Sequence, residues 1–285
     1  MFNYILYKIG LFIALHLPLK IAYKLAIFIS DLHYILGRED RKAVRDNLKV
    51  IYPEKSEKEL RKIRLRMSRN FAKYLVDFFC FSILDTEYIK KNIKVENIEY
   101  YDKAMAGGKG VIALSAHLGN WELGAVVIAL LGYPLWVVAL PHKHKRVDNF
   151  FNSQRKSKGV KVIPLGRAAR SCLNVLKNNE IVALVGDRDF NEKGVVMDFF
   201  GKPTHLPQGP AAFALKTGAR IVPCFMFRNE DDSFTLKMEK PVEFNPTGDK
   251  DKDLKALVEQ YKVIIENYIR KYVDQWYMFR RFWIQ

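Results

Sequence analysis

Four short runs are apolar almost from end to end: VIALSA at 111–116, LWVVAL at 135–140, IVALV at 181–185 and IVPCFM at 221–226. A strand without a polar face must be covered on both sides, and a mainly parallel sheet whose crossover helices lie on its two faces does this. Helical patterns separate the runs. The chain is therefore expected to be α/β, with a mainly parallel central sheet flanked by helices.

Ahead of the first run, the sequence predicts helices. Ser56 and Glu59 have the spacing of a capping box, and Leu60, Ile63, Met67, Phe71, Tyr74 and Phe78 follow at steps of three and four, marking one helix face. A polar helix is expected over 38–50. Within 1–36, Lys8, Pro18, Lys20 and Lys24 interrupt the apolar residues, so no uncharged stretch of about 18 residues remains to cross a bilayer. Two short apolar helices around Pro18, with lysines that can snorkel, suit the membrane interface instead. The organisation expected is a helical membrane-interface extension over 1–90 and an α/β domain over 91–285, forming one continuous unit. Near the carboxyl end, Leu254, Leu257, Val258, Tyr261, Ile264, Ile265 and Tyr268 repeat the helical period.

The chain carries a formal charge of +16. Such a field attracts anionic lipid, nucleic acid or an acidic protein. The aromatics sit at core-like periodicities rather than interleaved with cations, which argues against nucleic acid and against a non-enzymatic basic binder. Cys80, Cys172 and Cys224 stand singly in apolar runs and suggest neither disulfides nor zinc. His142 and His144 lie among Lys143, Lys145 and Arg146, a poor setting for a divalent cation. No metal or organic cofactor is expected.

The most informative stretch is HLGNWE, His117 to Glu122, where the first apolar run ends and a helix begins. In open α/β sheets, ligands bind outside the carboxyl ends of the strands. The His-x4-Glu spacing alone is weak, because with 6 histidines and 31 acids in the chain it arises easily by chance. Its position is the stronger signal. Gly119 and Asn120 permit a turn, and Glu122 falls where a helix amino terminus favours a carboxylate. Folded back, Glu122 would fix one ring nitrogen of His117 and leave Nε2 as a base. Ser115 lies outside any GxSxG elbow, so a hydrolase triad is unsupported.

HLGNWE resembles the motif of the bacterial lipid A late acyltransferases, within the lysophospholipid acyltransferase superfamily, where the acid is Glu or Asp. The resemblance extends through Arg45-Asp46-Asn47-Leu48, Tyr52-Pro53, Arg155, Gly186-Asp187-Arg188-Asp189, Phe199-Phe200-Gly201, Gly209-Pro210-Ala211, Thr217-Gly218-Ala219 with Pro223, Gln275-Trp276 and Arg280-Arg281. It implies acyl transfer from an acyl carrier protein thioester to a hydroxyl of a lipid A precursor or related glycolipid, at the cytoplasmic face of the inner membrane. His117 and Glu122 would be catalytic. Arg155, Asn120, Gly119, Asp187, Arg188 and Gly209 would bind substrate, with oxyanion donors at the Gly119 and Asn120 N–H groups or at Arg155. Transfer would be direct, without an acyl-enzyme. A lysophospholipid or glycerolipid acceptor is the alternative. The basic cluster at 143–146 would attract acidic carrier protein and anionic headgroups.

Overall fold

The structure is a computed structural model that describes residues 2–189 and 192–284. It opens with helices α1 (Phe2–His16), α2 (Leu19–Leu36), α3 (Arg38–Ile51), α4 (Glu57–Phe79) and α5 (Thr86–Asn92). The alternating part follows as β1 (Ile93–Glu96), α6 (Glu99–Met105), β2 (Val111–Ser115), α7 (Trp121–Leu130), β3 (Leu135–Ala139), α8 (Lys145–Lys156), β4 (Lys161–Pro164), α9 (Ala168–Lys177) and β5 (Ile181–Val185). The chain then adds β6 (Val195–Phe199), β7 (Lys202–Leu206), α10 (Gly209–Thr217), β8 (Arg220–Arg228), β9 (Phe234–Met238) and α11 (Lys250–Lys271).

The expected sheet is present, with strand order β1-β9-β8-β2-β5-β3-β4. The four apolar runs form its contiguous centre, β8-β2-β5-β3, and every pairing among them is parallel. Only β8 and β9 run antiparallel within it. Val111 to Leu114 are fully buried, as a strand covered on both faces requires. Beside the sheet, β6 and β7 form a separate antiparallel pair.

Sequence signals set several boundaries. Ser56 and Glu59 form the capping box that starts α4: the Glu59 N–H donates to Ser56 Oγ, and Glu59 Oε2 accepts the Ser56 N–H at 2.9 Å. The predicted face of α4 is inward, with Leu60, Met67 and Phe78 essentially inaccessible. Helices α1 and α2 meet at Pro18, and no described helix is long and apolar enough to cross a membrane. One side of this pair packs inward through Ala14, Ala22 and Tyr23, while Phe12, Phe28, Ile35 and Leu36 are 61–82% exposed.

Asn47, 2% exposed on α3, holds the carboxyl-terminal segment. Its Nδ2 donates to the carbonyls of Met278 at 3.2 Å and Arg280 at 2.7 Å, and its Oδ1 accepts the Phe282 N–H at 3.2 Å. Asn47→Ala removes all three bonds and strands backbone groups in a buried setting, so a loss of roughly 2 kcal/mol is expected. Urea unfolding checks this; an unchanged midpoint would show that the clasp adds nothing to stability.

Candidate active site

Parallel pairing of β2 with β5 places Ser115 opposite Val185, so both strands end at the same level, and the Gly186 N–H donates to the Ser115 carbonyl at 2.9 Å. Two positions further on lie His117 on one side and Asp187 on the other. The His117 backbone N–H lies 3.1 Å from both Asp187 oxygens, its ring Nδ1 is 2.9 Å from Asp187 Oδ1, and Trp276 Nε1 donates to Oδ2 at 3.0 Å. Asp187 is wholly buried. Burial alone would raise its pKa, but the electrostatic attraction to His117 and the hydrogen bonds from His117 and Trp276 outweigh it and hold the carboxyl below its usual value. An ionised Asp187 only accepts, so Nδ1 carries the proton and Nε2 is the basic nitrogen of the neutral ring.

The expected contact between His117 and Glu122 is replaced by two separate pairs. Glu122, in the first turn of α7, points to α8, where Arg155 Nε and Nη2 donate to its two oxygens at 2.8 and 2.6 Å. A bidentate guanidinium is a stronger partner than one ring nitrogen, and Asp187 already holds Nδ1. Arg155 itself is buried on α8. Its burial opposes the charged form, but Glu122 overcompensates and raises the guanidinium pKa. Nη1 also bonds Asn152 Oδ1 at 3.0 Å, leaving further N–H groups on Nη1 and Nη2.

Gly119 and Asn120 are structural in their contacts. Gly119 has φ 62°, and a Cβ there would lie 1.9 Å from the Met226 carbonyl oxygen, so the turn admits only glycine. Its N–H donates to the Gln275 carbonyl and that of Asn120 to the Met226 carbonyl, both at 2.8 Å. Neither N–H is left for the expected oxyanion role. The Asn120 side chain caps α7 by accepting the Leu123 N–H at 3.0 Å and donates to Asp77 at 2.9 Å.

His117, Trp121, Glu122 and Arg155 open onto a cavity of about 230 Å3, whose remaining lining is mostly apolar: Ala113, Ile128, Ala183, Met226 and Leu236 among others. Trp121 lies edge-to-face with His117 and stacks on Tyr74, with ring centres 5.1 and 4.9 Å away. Cys224 also lines the cavity, but burial pushes its thiol up to about 11, so it is not a ready nucleophile. Gly209, the first residue of α10, and Arg188 line an adjoining cavity rather than this one.

Sequence reasoning missed a second buried carboxylate. Asp77 accepts from Asn120, Tyr23 and Arg228, and Arg228 Nη1 also reaches Tyr23 Oη at 3.1 Å. This cluster ties α2 and α4 to β8 and to the turn carrying the histidine. Its one visible signal was an acid inside the apolar run LVDFFCF.

The sequence profile of the bacterial lipid A biosynthesis acyltransferases matches residues 1–285. The chain belongs to that family. It is 27% identical to a phosphatidylinositol mannoside acyltransferase of Mycolicibacterium smegmatis over 219 residues, covering 75% of this chain and 70% of that one. A lipid A biosynthesis acyltransferase of Haemophilus influenzae is 22% identical over 92% of this chain and 81% of its own length. A lipid A biosynthesis lauroyltransferase of Escherichia coli is 22% identical over 95% and 88%. This family member is thus an acyltransferase of the lipid A and glycolipid type.

Asp187→Asn tests how the ring is held. An amide Nδ2 facing Nδ1 would move the ring proton to Nε2 and remove the base, so acyl transfer should fall by about 10^3 to 10^4 while the fold survives. Near-normal rates in the folded variant would mean that the tautomer does not matter.

Proposed function

We propose that this acyltransferase moves a fatty acyl chain from an acyl carrier protein thioester to a hydroxyl of a lipid A precursor or related glycolipid, with His117 as general base. The observation that carries the reading is the His117–Asp187 pair at an apolar cavity, on the carboxyl-end rim of the sheet. A thioester carbonyl near His117 would leave its hydrocarbon tail against Ile128, Ala183 and Met226. His117 Nε2 takes the acceptor hydroxyl proton as the oxygen attacks the thioester carbon. The tetrahedral intermediate then expels the thiolate, which recovers that proton. Asp187 stabilises the imidazolium between these events.

Glu122 acts through Arg155 in this scheme. The carboxylate fixes the guanidinium, and the N–H groups left on Nη1 and Nη2 are the donors for the oxyanion. A preorganised donor in a dry site contributes about 3 kcal/mol by analogy with measured oxyanion holes. A glycolipid acceptor agrees with the names of both groups of relatives. The exposed basic cluster at 143–146, leading into the helix that carries Arg155, offers an acidic carrier protein a landing surface.

The exposed apolar side of α1 and α2, with Lys8, Lys20 and Lys24 nearby in sequence, supports peripheral attachment to a membrane, here the cytoplasmic face of the inner membrane. Phe28→Glu combined with Ile35→Glu should release the protein from anionic vesicles in flotation without shifting its melting temperature. Unchanged flotation would place the contact elsewhere.

The direct test of the reaction is to supply acyl carrier protein thioesters and a panel of lipid acceptors, and to identify products by mass spectrometry. His117→Ala should lower turnover by about two to four orders of magnitude, the span usual for general-base catalysis. A folded His117→Ala protein with near-normal turnover would refute the assignment.

A further inference from the structure

Beyond the catalytic pairs, the cavity at His117 adjoins a second one at the start of α10, with which it shares Val138, Leu140, Leu184 and Val185. That second cavity shares Arg188 and Asp189 with a third, of about 450 Å3, between the β6–β7 pair and the carboxyl-terminal segment. The third cavity differs in chemistry. Arg188, Arg280 and Arg281 line it, together with His205 and Trp283.

Three observations converge on it. Like charges are gathered: burial and the neighbouring Arg280 both push the Arg188 pKa down, and among the described residues no carboxylate forms an ion pair with Arg280 or Arg281. Asp189 and Glu192 are also on the wall, but Asp189 Oδ2 accepts the N–H groups of Lys193 and Gly194. Second, Trp283 Nε1 and His205 Nδ1 are buried without a hydrogen-bond partner among the described residues. A buried indole N–H without an acceptor costs free energy, and an acceptor brought by a ligand would remove that cost. Third, the backbone presenting the arginines is fixed in advance. Asn47 clasps it at Met278, Arg280 and Phe282, Thr204 Oγ1 donates to the Phe282 carbonyl at 3.1 Å, and the Ile284 N–H donates to the Pro203 carbonyl at 3.2 Å.

Guanidinium forks and an indole N–H donor around a polar hollow match a tetrahedral oxyanion with several acceptors. We infer that this third cavity binds a phosphate ester carried by one of the two substrates, and so sets how that substrate lies along the groove leading to His117. The inference rests on the acyl-transfer reading for its role, but not for the binding itself. Two sources carry the same chemistry: a phosphorylated acceptor headgroup, or a phosphate on the thiol-bearing arm of the donor.

The test begins with inorganic phosphate titrated into the purified full-length protein by calorimetry. Wild type and His117→Ala should bind it equally. Arg280→Gln combined with Arg281→Gln should weaken binding at least about tenfold, as the loss of charge-assisted hydrogen bonds predicts. Lys58→Gln combined with Lys62→Gln removes the same charge from exposed positions on α4 and should have little effect. Transfer assays then separate the sources. A KM raised by the arginine pair only for a phosphorylated acceptor, with kcat kept and a dephosphorylated acceptor indifferent, assigns the headgroup. A KM raised for an acyl-coenzyme A donor, but not for an acyl-N-acetylcysteamine donor, assigns the donor arm. Phosphate binding that is absent in wild type, or equal in wild type and the arginine variant, overturns the inference. Failure of the acyl-transfer reading would appear separately, as wild type that binds phosphate but transfers nothing.

Discussion

A fully buried carboxylate is tolerable only if its oxygens are saturated, and Asp187 meets that condition with partners from two other parts of the chain. The His117 backbone and ring follow β2, Asp187 itself follows β5, and Trp276 lies beyond α11. Removing any of these partners would leave a charge in an apolar setting, at a cost of several kcal/mol. The histidine, its partner and the carboxyl-terminal segment are therefore positioned together. The same segment is also hydrogen-bonded to the histidine turn through the Gly119 N–H to Gln275 and the Tyr277 N–H to the His117 carbonyl.

The other buried carboxylate extends this dependence to the amino-terminal helices. Asp77 is held by Arg228, Tyr23 and Asn120, and Asn120 caps the helix that carries Glu122. Desolvation raises the pKa of Asp77, and the Arg228 charge opposes that rise. Because Tyr23 belongs to α2, the helices whose outer side is apolar and exposed are bonded into the network behind the site. A shift of α2 at a membrane would thus reach the turn between His117 and Glu122 through two hydrogen bonds.

The centre of the fold was legible because burial on both faces leaves a compositional trace. All four apolar runs became neighbouring strands, and the capping box at Ser56 fixed the start of α4. Strands with polar residues, such as β1 (IKVE) and β7 (KPTHL), leave no such trace, and their pairing depends on contacts distant in sequence. The site was half legible for the same reason. Local spacing pointed to Glu122 as the partner of His117, while the residue that bonds the ring lies 70 positions away. The burial of Arg155 could have been read: Val147, Phe150, Phe151 and Gln154 precede it at helical spacing and mark the inward face of α8.

The two acids near the histidine suit different tasks because their surroundings differ. Asp187 has no exposure and faces an imidazole, whose charge changes when a proton moves; it can therefore respond to the reaction. Glu122 faces Arg155, a cation that does not titrate at neutral pH, so its ion pair keeps the same charge throughout. A permanent pair cannot relay a proton, but it can hold a positive charge in place as negative charge develops. Glu122 sits in the first turn of α7, just after the Asn120 cap. The His-x4-Glu spacing thus joins two units through one turn. In the proposed mechanism the histidine begins a proton-handling pair across β2 and β5, and the glutamate begins a fixed ion pair across α7 and α8. Gly119 and Asn120 between them hold the turn against β8, so the two units keep a fixed separation.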